Sequence, residues 1–315
     1  MNPLEERLLT RNGLAARQLA VLLIDRATEG TGSRLPRVRD LAAELRVGNG
    51  TVQAALGLLE EAGGISTVAR GHLGTFLTRV DRGILWRMSG LGTLLAAMPL
   101  PYSRRYEGLA TGLRAAFDTA GTPFAITFMR GASARATALL DHKVDLVVLS
   151  RFAADQLISR HPLELVVDLG PQTYVGAHGL LLRRGVDLAA PRLRVAVDSA
   201  SEDLRTLAAR VFAARTDVEW VEASYMQLRD LFARGEVDAT VWNLDEARDH
   251  LGEHVETRPL GDEITRDLSL RNSSAAIVGR AGKSAALRAV RHSLDPERIT
   301  ALQEEVVRGE RMPSY

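Results

Sequence analysis

The sequence has no cysteine among its 315 residues. That excludes disulfides, thiolate metal sites, iron–sulfur ligation and cysteine nucleophiles. It fits a reducing compartment. Aromatic residues make up only 5%, so Leu, Val, Ala and Ile must build the core. Long apolar runs are missing as well. The longest uncharged stretch, residues 88–103, is interrupted by Gly90, Gly92, Pro99 and Pro101. It is too short and too broken to span a bilayer. The opening MNPLEERLLTRNG is charged and lacks the apolar centre of a signal peptide. A cytoplasmic protein without membrane association is expected. Lysine is scarce: of 40 Lys and Arg residues, only Lys143 and Lys283 are lysine. Arginine favours bidentate contacts to phosphate and carboxylate. A GC-rich genome produces the same bias, so position must carry the argument. With a net charge of +1, the chain as a whole does not advertise a polyanion partner.

What is present is ordinary in amount and informative in order. Hydrophobic residues at 46% and charged residues at 25% describe a globular chain, long enough for two domains. Residues 13–80 read as three short helices and a glycine-punctuated hairpin. Leu14, Ala15, Leu19, Leu22 and Leu23 recur at helical spacing. Gly30, Gly32 and Pro36 end that helix, and residues 40–45 form the next. Val47-Gly48-Asn49-Gly50 is a tight turn, after which Thr51 opens a helix with Val52, Ala55, Leu56 and Leu59 inward. Two helices so joined make a helix-turn-helix. Residues 65–68 and 75–77 read as strands, with Arg70-Gly71-His72-Leu73-Gly74 as the tip between them. Residues 91–280 alternate short apolar runs with amphipathic stretches, an α/β pattern. The expected division is a helix-turn-helix head over 1–82, a linker over 83–90 containing Ile84, Leu85 and Trp86, and a bilobal α/β domain over 91–315. Its second lobe is expected at about 188–262.

Three features of the head are specific. Arg34-Leu35-Pro36-Arg37-Val38-Arg39-Asp40-Leu41-Ala42, Val47-Gly48-Asn49-Gly50-Thr51-Val52 and Arg70-Gly71-His72-Leu73-Gly74-Thr75-Phe76 follow in order. With Ala55-Leu56 and Gly63-Gly64-Ile65 between them, they resemble the GntR-type winged helix-turn-helix over roughly residues 13–80. Where that family usually has Ser-Arg this chain has Gly48-Asn49, and it has Gln53 where arginine is frequent. Two cations are thus missing from the recognition helix. Together with residues 99–109, PLPYSRRYEGL, the chain looks like the YhfZ branch of these regulators. The resemblance implies a C-terminal domain similar to type 2 periplasmic binding proteins. It also implies double-stranded operator DNA and a small-molecule effector as partners, and a homodimer. The candidate DNA-contacting residues are Arg34, Arg37, Arg39, Asn49, Gly50, Thr51, Gln53, Arg70, Gly71 and His72. Arg70 and His72 equally suit the tip of an ordinary exposed hairpin.

The α/β reading stands on the residues themselves. Apolar strands are expected at 94–98, 124–129, 145–149 and 163–168, and in a second series at 193–197, 218–221 and 239–242. Helices intervene, and two such series imply two parallel-sheet lobes. Residues 174–184 and 275–280 sit where crossing strands belong, and 287–307 returns as helix. Ligands of open parallel sheets bind beyond the carboxyl ends of the strands. The residues there are Tyr102, Ser103, Arg104, Arg130, Ser150 and Arg151 in the first lobe. In the second they are Ser199, Ser201, Ser224, Trp242 and Asn243. These stretches open helices, whose free N–H groups favour anions, so a small carboxylate or phosphate is the expected effector. A serine at a helix start also serves as an N-cap, and Trp242 suits a core equally well.

Catalytic constellations fail. There is no HExxH, GxSxG or complete dinucleotide fingerprint, and His142, His161, His178, His250, His254 and His292 are scattered. No metal, cofactor or enzymatic activity is expected. The expected function is a ligand-responsive transcription regulator. The alternatives are an enzyme, such as a lyase or transferase using the cleft, and a DNA-binding protein whose C-terminal domain holds no ligand.

Overall fold

The computed structural model describes residues 7, 9–26, 32–245, 247, 251–261, 263–282, 285–291 and 293–315. Gly30, His250, Lys283 and His292 lie outside them. The chain divides into two compact units. One comprises the residues up to Leu94 with 115–125 and 282–295; the other comprises 95–114, 126–281 and 296–315.

In the first unit, α1 (Arg11–Arg26), α2 (Val38–Leu45) and α3 (Asn49–Glu61) precede a hairpin of β1 (Ile65–Ala69) and β2 (Thr75–Val80). The apolar spacing buries Leu19, Leu23, Leu41, Val52, Ala55 and Leu59 completely or almost so. Leu14, expected inward, is exposed, and Leu58 is buried where Leu56 is only half-buried. The helix α3 begins at Asn49 rather than Thr51, because Gly48 is already the extended residue ahead of its first turn. The chain before α2 lines up along β2: Leu35 N–H donates to Thr75 O at 2.8 Å and Leu77 N–H to Ser33 O at 2.9 Å. The wing is thereby braced on a third extended segment. The expected linker is a helix, α4 (Arg82–Ser89), capped by Asp81, whose side chain accepts from Ile84 N–H. Leu85 and Trp86 are buried, and the indole of Trp86 donates to Gly92 O at 2.7 Å. The apolar pair that marked the segment is what makes it pack rather than hang free.

The second unit has two five-stranded sheets. Its elements are β3 (Leu94–Met98), α5 (Arg104–Thr119), β4 (Phe124–Phe128), α6 (Ala132–Leu140), β5 (Leu146–Ser150), α7 (Arg151–Ile158) and β6 (Leu163–Asp168). Then come β7 (His178–Arg183), β8 (Arg194–Val197), α8 (Glu202–Val211), β9 (Glu219–Glu222), α9 (Tyr225–Ala233), β10 (Ala239–Asn243) and β11 (Val255–Pro259). The chain finishes with α10 (Glu263–Ser273), β12 (Ala275–Arg280), α11 (Ala285–Arg291) and α12 (Pro296–Val307). The α11 helix belongs to the first unit, where Arg288 pairs with Asp25 at 2.9 Å.

The sheet orders are β4-β3-β5-β12-β6 and β11-β7-β10-β8-β9. This is the two-lobed α/β arrangement that the resemblance implied. The lobes are not purely parallel, as the βαβ pattern suggested. The strand β12 runs antiparallel to both β5 and β6, and β7 antiparallel to β10 and β11. Each lobe takes in one crossing strand, and such a strand must enter from the opposite end. The single return helix expected over 287–307 is two helices, because Pro296 can start a helix but cannot continue one.

Buried polar groups fix the sheets. In the second lobe, Asp238 accepts from Arg194 Nε at 2.9 Å and from Arg183 Nη2 at 2.7 Å. It thereby ties the starts of β8 and β10 to the end of β7. Burial would raise its pKa, but these hydrogen bonds outweigh that and hold it down at about 2. Among the described residues no helix is long and apolar enough to cross a membrane.

The helix α12 packs on the first lobe through glycines. A Cβ at Gly112 would stand 2.6 Å from Ile299 O, and one at Gly108 would stand 2.7 Å from Gln303 O. Backbone cannot give way as a side-chain tip can. Gly112→Ala is therefore expected to cost about 1–3 kcal/mol despite the roughly 1 kcal/mol that alanine adds to a helix. A thermal melt of the purified variant, with its midpoint lowered by several degrees, checks this.

Candidate functional site

Each unit presents its own candidate site. In the head, Arg37, Arg39, Asn49, Gly50, Gln53, Arg70, Gly71, His72 and Arg34 are exposed, and Thr51 is half-buried. Arg34, Arg37 and Gln53 border one groove with Thr67 and Gly74. The guanidinium of Arg34 fills the space a Cβ on Gly74 would need, at 2.8 Å, so it lies against the wing. Arg70 stacks over the ring of Phe76 at 4.7 Å, a contact that steadies a cation without consuming its donors. Gly71 holds a positive φ of 54° and Gly74 one of 95°, which lets the tip turn tightly. Arg39 pairs with the adjacent Asp40 at 3.3 Å, both exposed, a weak contact that a phosphate could replace.

In the two-lobed unit a cavity of about 400 Å³ lies between the lobes. Six of the sequence-selected residues line it: Tyr102, Arg130, Ser201, Ser224, Trp242 and Asn243. They arrive as the topology requires, from the ends of β3, β4, β8, β9 and β10 or the turns that follow. Tyr102 follows Pro99-Leu100-Pro101, and Ser103 behind it accepts from Tyr106 N–H at 3.3 Å, starting α5. Arg130 reaches across the lobes to Asp198, Nη2 to Oδ1 at 2.8 Å. Ser224 heads α9, its N–H and its hydroxyl each donating to Gln227 Oε1 at 2.9 Å.

The other selected residues do not line this cavity. Ser103 and exposed Arg104 border a neighbouring groove with Tyr102, Arg105 and Asp245. Ser150 is fully buried and accepts from Ala153 N–H, capping α7. Arg151 is engaged by Asp155 at 2.8 Å and by Asp168 at 2.5 Å. Ser199 donates to Glu222 at 2.7 Å. For Ser103 and Ser150 a helix cap, for Arg151 an ion pair and for Ser199 a hydrogen bond to Glu222 takes the group that strand-end position alone would assign to a ligand.

Several buried lining residues were not selected from the sequence. Arg135, only 3% exposed, sits one turn into α6. It donates from Nε to Val148 O at 3.0 Å, from Nη1 to Met129 O at 2.8 Å and from Nη2 to the Tyr174 hydroxyl at 3.0 Å. Tyr174 hydrogen-bonds Tyr106, which in turn bonds Tyr102. The three rings meet edge to face, with centroids 5.2 and 5.3 Å apart. Burial raises the pKa of all three phenols, so the chain of hydroxyls is neutral at physiological pH. From the second lobe come Asp198, Asp203 and His178. Asp203 Oδ1 accepts from Leu204 N–H at 3.0 Å and from the Ser201 hydroxyl. His178 faces Asn243 across the β7–β10 ladder and shares a hydrogen bond with Ser269 at 3.2 Å. Among the described residues no group of three or more His, Asp or Glu could hold a metal ion.

Residues 81–315 match the family described as the YhfZ C-terminal domain. The chain is also 36% identical to YhfZ of Escherichia coli strain K12 over 98% of both chains. The protein belongs to the YhfZ family. The crystal structure of YhfZ from Shigella flexneri is similar at 38% identity and a TM-score of 0.60, covering 71% of this chain and 94% of that one. Residues 30–77 of this YhfZ-family chain match a helix-turn-helix domain. A 67-residue stretch is 45% identical to the HTH-type transcriptional regulator Rv1152 of Mycobacterium tuberculosis, covering 20% of this chain and 54% of that one.

Burial pushes the pKa of His178 down to about 4, against a smaller opposing pull from Asp203. A histidine free at 6.5 and held near 4 when folded gains protons on unfolding. Stability is therefore unaffected above about pH 6.5 and falls as pH drops from there toward 4. His178→Asn is expected to flatten this acid limb, shrinking the loss between pH 7 and 4 by on the order of 3 kcal/mol. Denaturant titrations of parent and variant at a series of pH values measure it.

Proposed function

We propose that this protein is a cytoplasmic transcriptional regulator that binds operator DNA as a homodimer. In this reading the two-lobed domain takes up a small metabolite carrying a carboxylate or phosphate, and uptake changes operator affinity. The cavity between the lobes carries the reading, because Arg130 from one lobe and Asp198 from the other meet at its lining. An incoming anion competes with Asp198 for Arg130 and so favours one arrangement of the lobes over another. Differential binding of this kind is what a ligand needs in order to shift an equilibrium.

The head supplies the other half. Exposed Asn49, Gly50 and Gln53 open α3, where a recognition helix meets base edges. Arg34, Arg37 and Arg39 flank the start of α2, and Arg70, Gly71 and His72 form the wing tip. One recognition helix per chain suits a dimer on two half-sites. A binding role is favoured over an enzymatic one by the helix-turn-helix domain over residues 30–77, a DNA-binding module to which the two-lobed unit is joined.

Operator titrations test both halves. Arg37→Ala is expected to weaken binding to all sequences and lower the salt slope by about one unit. Gln53→Ala is expected to relax specificity at one base pair, by roughly 1–3 kcal/mol. Arg70→Ala should lower DNA affinity with the melting temperature unchanged. Arg130→Ala should keep apo affinity for the operator and lose the response to small molecules. Parent-like binding by both Arg37→Ala and Gln53→Ala would refute the recognition-helix assignment.

A further inference from the structure

We propose that the ligand of the interlobe cavity is a zwitterion of the α-amino-acid class with a large apolar side chain. The inference rests on the reading of this cavity as the effector site and narrows its chemistry. The lining is balanced in charge, with Arg130 and Arg135 set against Asp198 and Asp203. The two aspartates are 7% and 8% exposed. Each uses one oxygen: Asp198 Oδ1 takes Arg130 and Ala200 N–H, and Asp203 Oδ1 takes Ser201 and Leu204 N–H. Among the described residues nothing donates to either Oδ2. These oxygens belong to carboxylates that line the cavity, and their negative charge bars a ligand that brings negative charge alone. Such a ligand would take Arg130 from Asp198 and leave that carboxylate facing a second anion.

A ligand with an ammonium beside its carboxylate satisfies both sides. Its carboxylate takes donors of Arg130 and the remaining N–H groups of Arg135, while its ammonium donates to the open oxygens of Asp198 and Asp203. Beside the polar Ser201, Ser224, Asn243 and His178, the wall carries the apolar or aromatic Leu100, Tyr102, Val175, Leu204 and Trp242. A cavity of about 400 Å³ falls at the small end of ligand pockets. That suits a ligand the size of phenylalanine or leucine. Asp198, Asp203 and His178 share the lining, but among the described residues no group of three or more such side chains could hold a metal ion, which argues against a divalent cation as occupant.

Calorimetry on the full-length protein tests this with two matched sets. They are L-phenylalanine, 3-phenylpropionate and phenethylamine, and L-leucine, 4-methylpentanoate and isoamylamine, with inorganic phosphate alongside. At least one amino acid should bind about 100-fold more tightly than both its deaminated acid and its decarboxylated amine. Asp203→Asn and Asp198→Asn should each remove most of that preference while leaving the affinity for the acid unchanged or higher. Melting curves of both variants confirm that they are folded. Equal or tighter binding of 3-phenylpropionate, 4-methylpentanoate or phosphate overturns the zwitterion and leaves the effector site standing. Failure of every probe to bind also overturns it. The effector reading itself is lost only if operator affinity is unmoved by a deproteinised cell extract.

Discussion

A buried guanidinium organises the two-lobed domain. Arg135 is only 3% exposed, and a buried charge persists only if its surroundings are built to receive it. Two of its partners are main-chain carbonyls, Val148 in β5 and Met129 beyond β4, so the arginine pins neighbouring parts of the first sheet. The third is Tyr174, in the segment that carries the chain from one lobe to the other. From there the hydroxyl chain runs to Tyr106 and Tyr102, and Tyr102 packs against the second lobe's core beside Trp242. The cavity wall is thus a consequence of satisfying one charge. Replacing that residue with an apolar one would take a donor from a phenol and two carbonyls, at about 1–3 kcal/mol for each group left unsatisfied.

The sequence was most legible where structure is local. The head's turns, the wing glycines and the strands at 94–98 and 163–168 fall where apolar periodicity and turn chemistry put them. Pattern could not tell direction. Residues 275–280 are as apolar as any parallel strand, and only their arrival from the other lobe makes β12 antiparallel. The same limit applies to the site. Reading the residue after each strand found Tyr102, Arg130, Ser201, Ser224, Trp242 and Asn243. It also picked Ser150 and Arg151, whose partners Ala153, Asp155 and Asp168 are near in sequence or at the end of β6, the next strand along the chain. Two of these were open to inspection, since Ser150 precedes a helix and Asp155 lies four residues beyond Arg151.

The missed residues left fainter traces. Arg135 interrupts the small, apolar run ASARATALL with a charge, which on a helix bound for the core is a mark of function or of a buried partner. Tyr174 and His178 lie on a crossing segment, where strand-end logic does not look. Asp203 reads as a favourable acid in a helix's first turn, and its place in the cavity lining shows only once the opposite lobe is seen.

The antiparallel strand β12 has a consequence for how the molecule is made. It lies inside the first sheet, between β5 and β6, yet it is synthesised after the whole second lobe. The helix α12 comes later still, and Gln303 on it donates to Arg105 O at 2.9 Å and Thr173 O at 2.7 Å. The second lobe, by contrast, draws its strands from one continuous stretch, residues 178–259. A ribosome therefore delivers a complete second lobe while the first is an open sheet with a gap between β5 and β6. Domains fold as units when their chain is available. The lobe that emerges first must wait, its strand edges unpaired, for the last part of the chain to arrive.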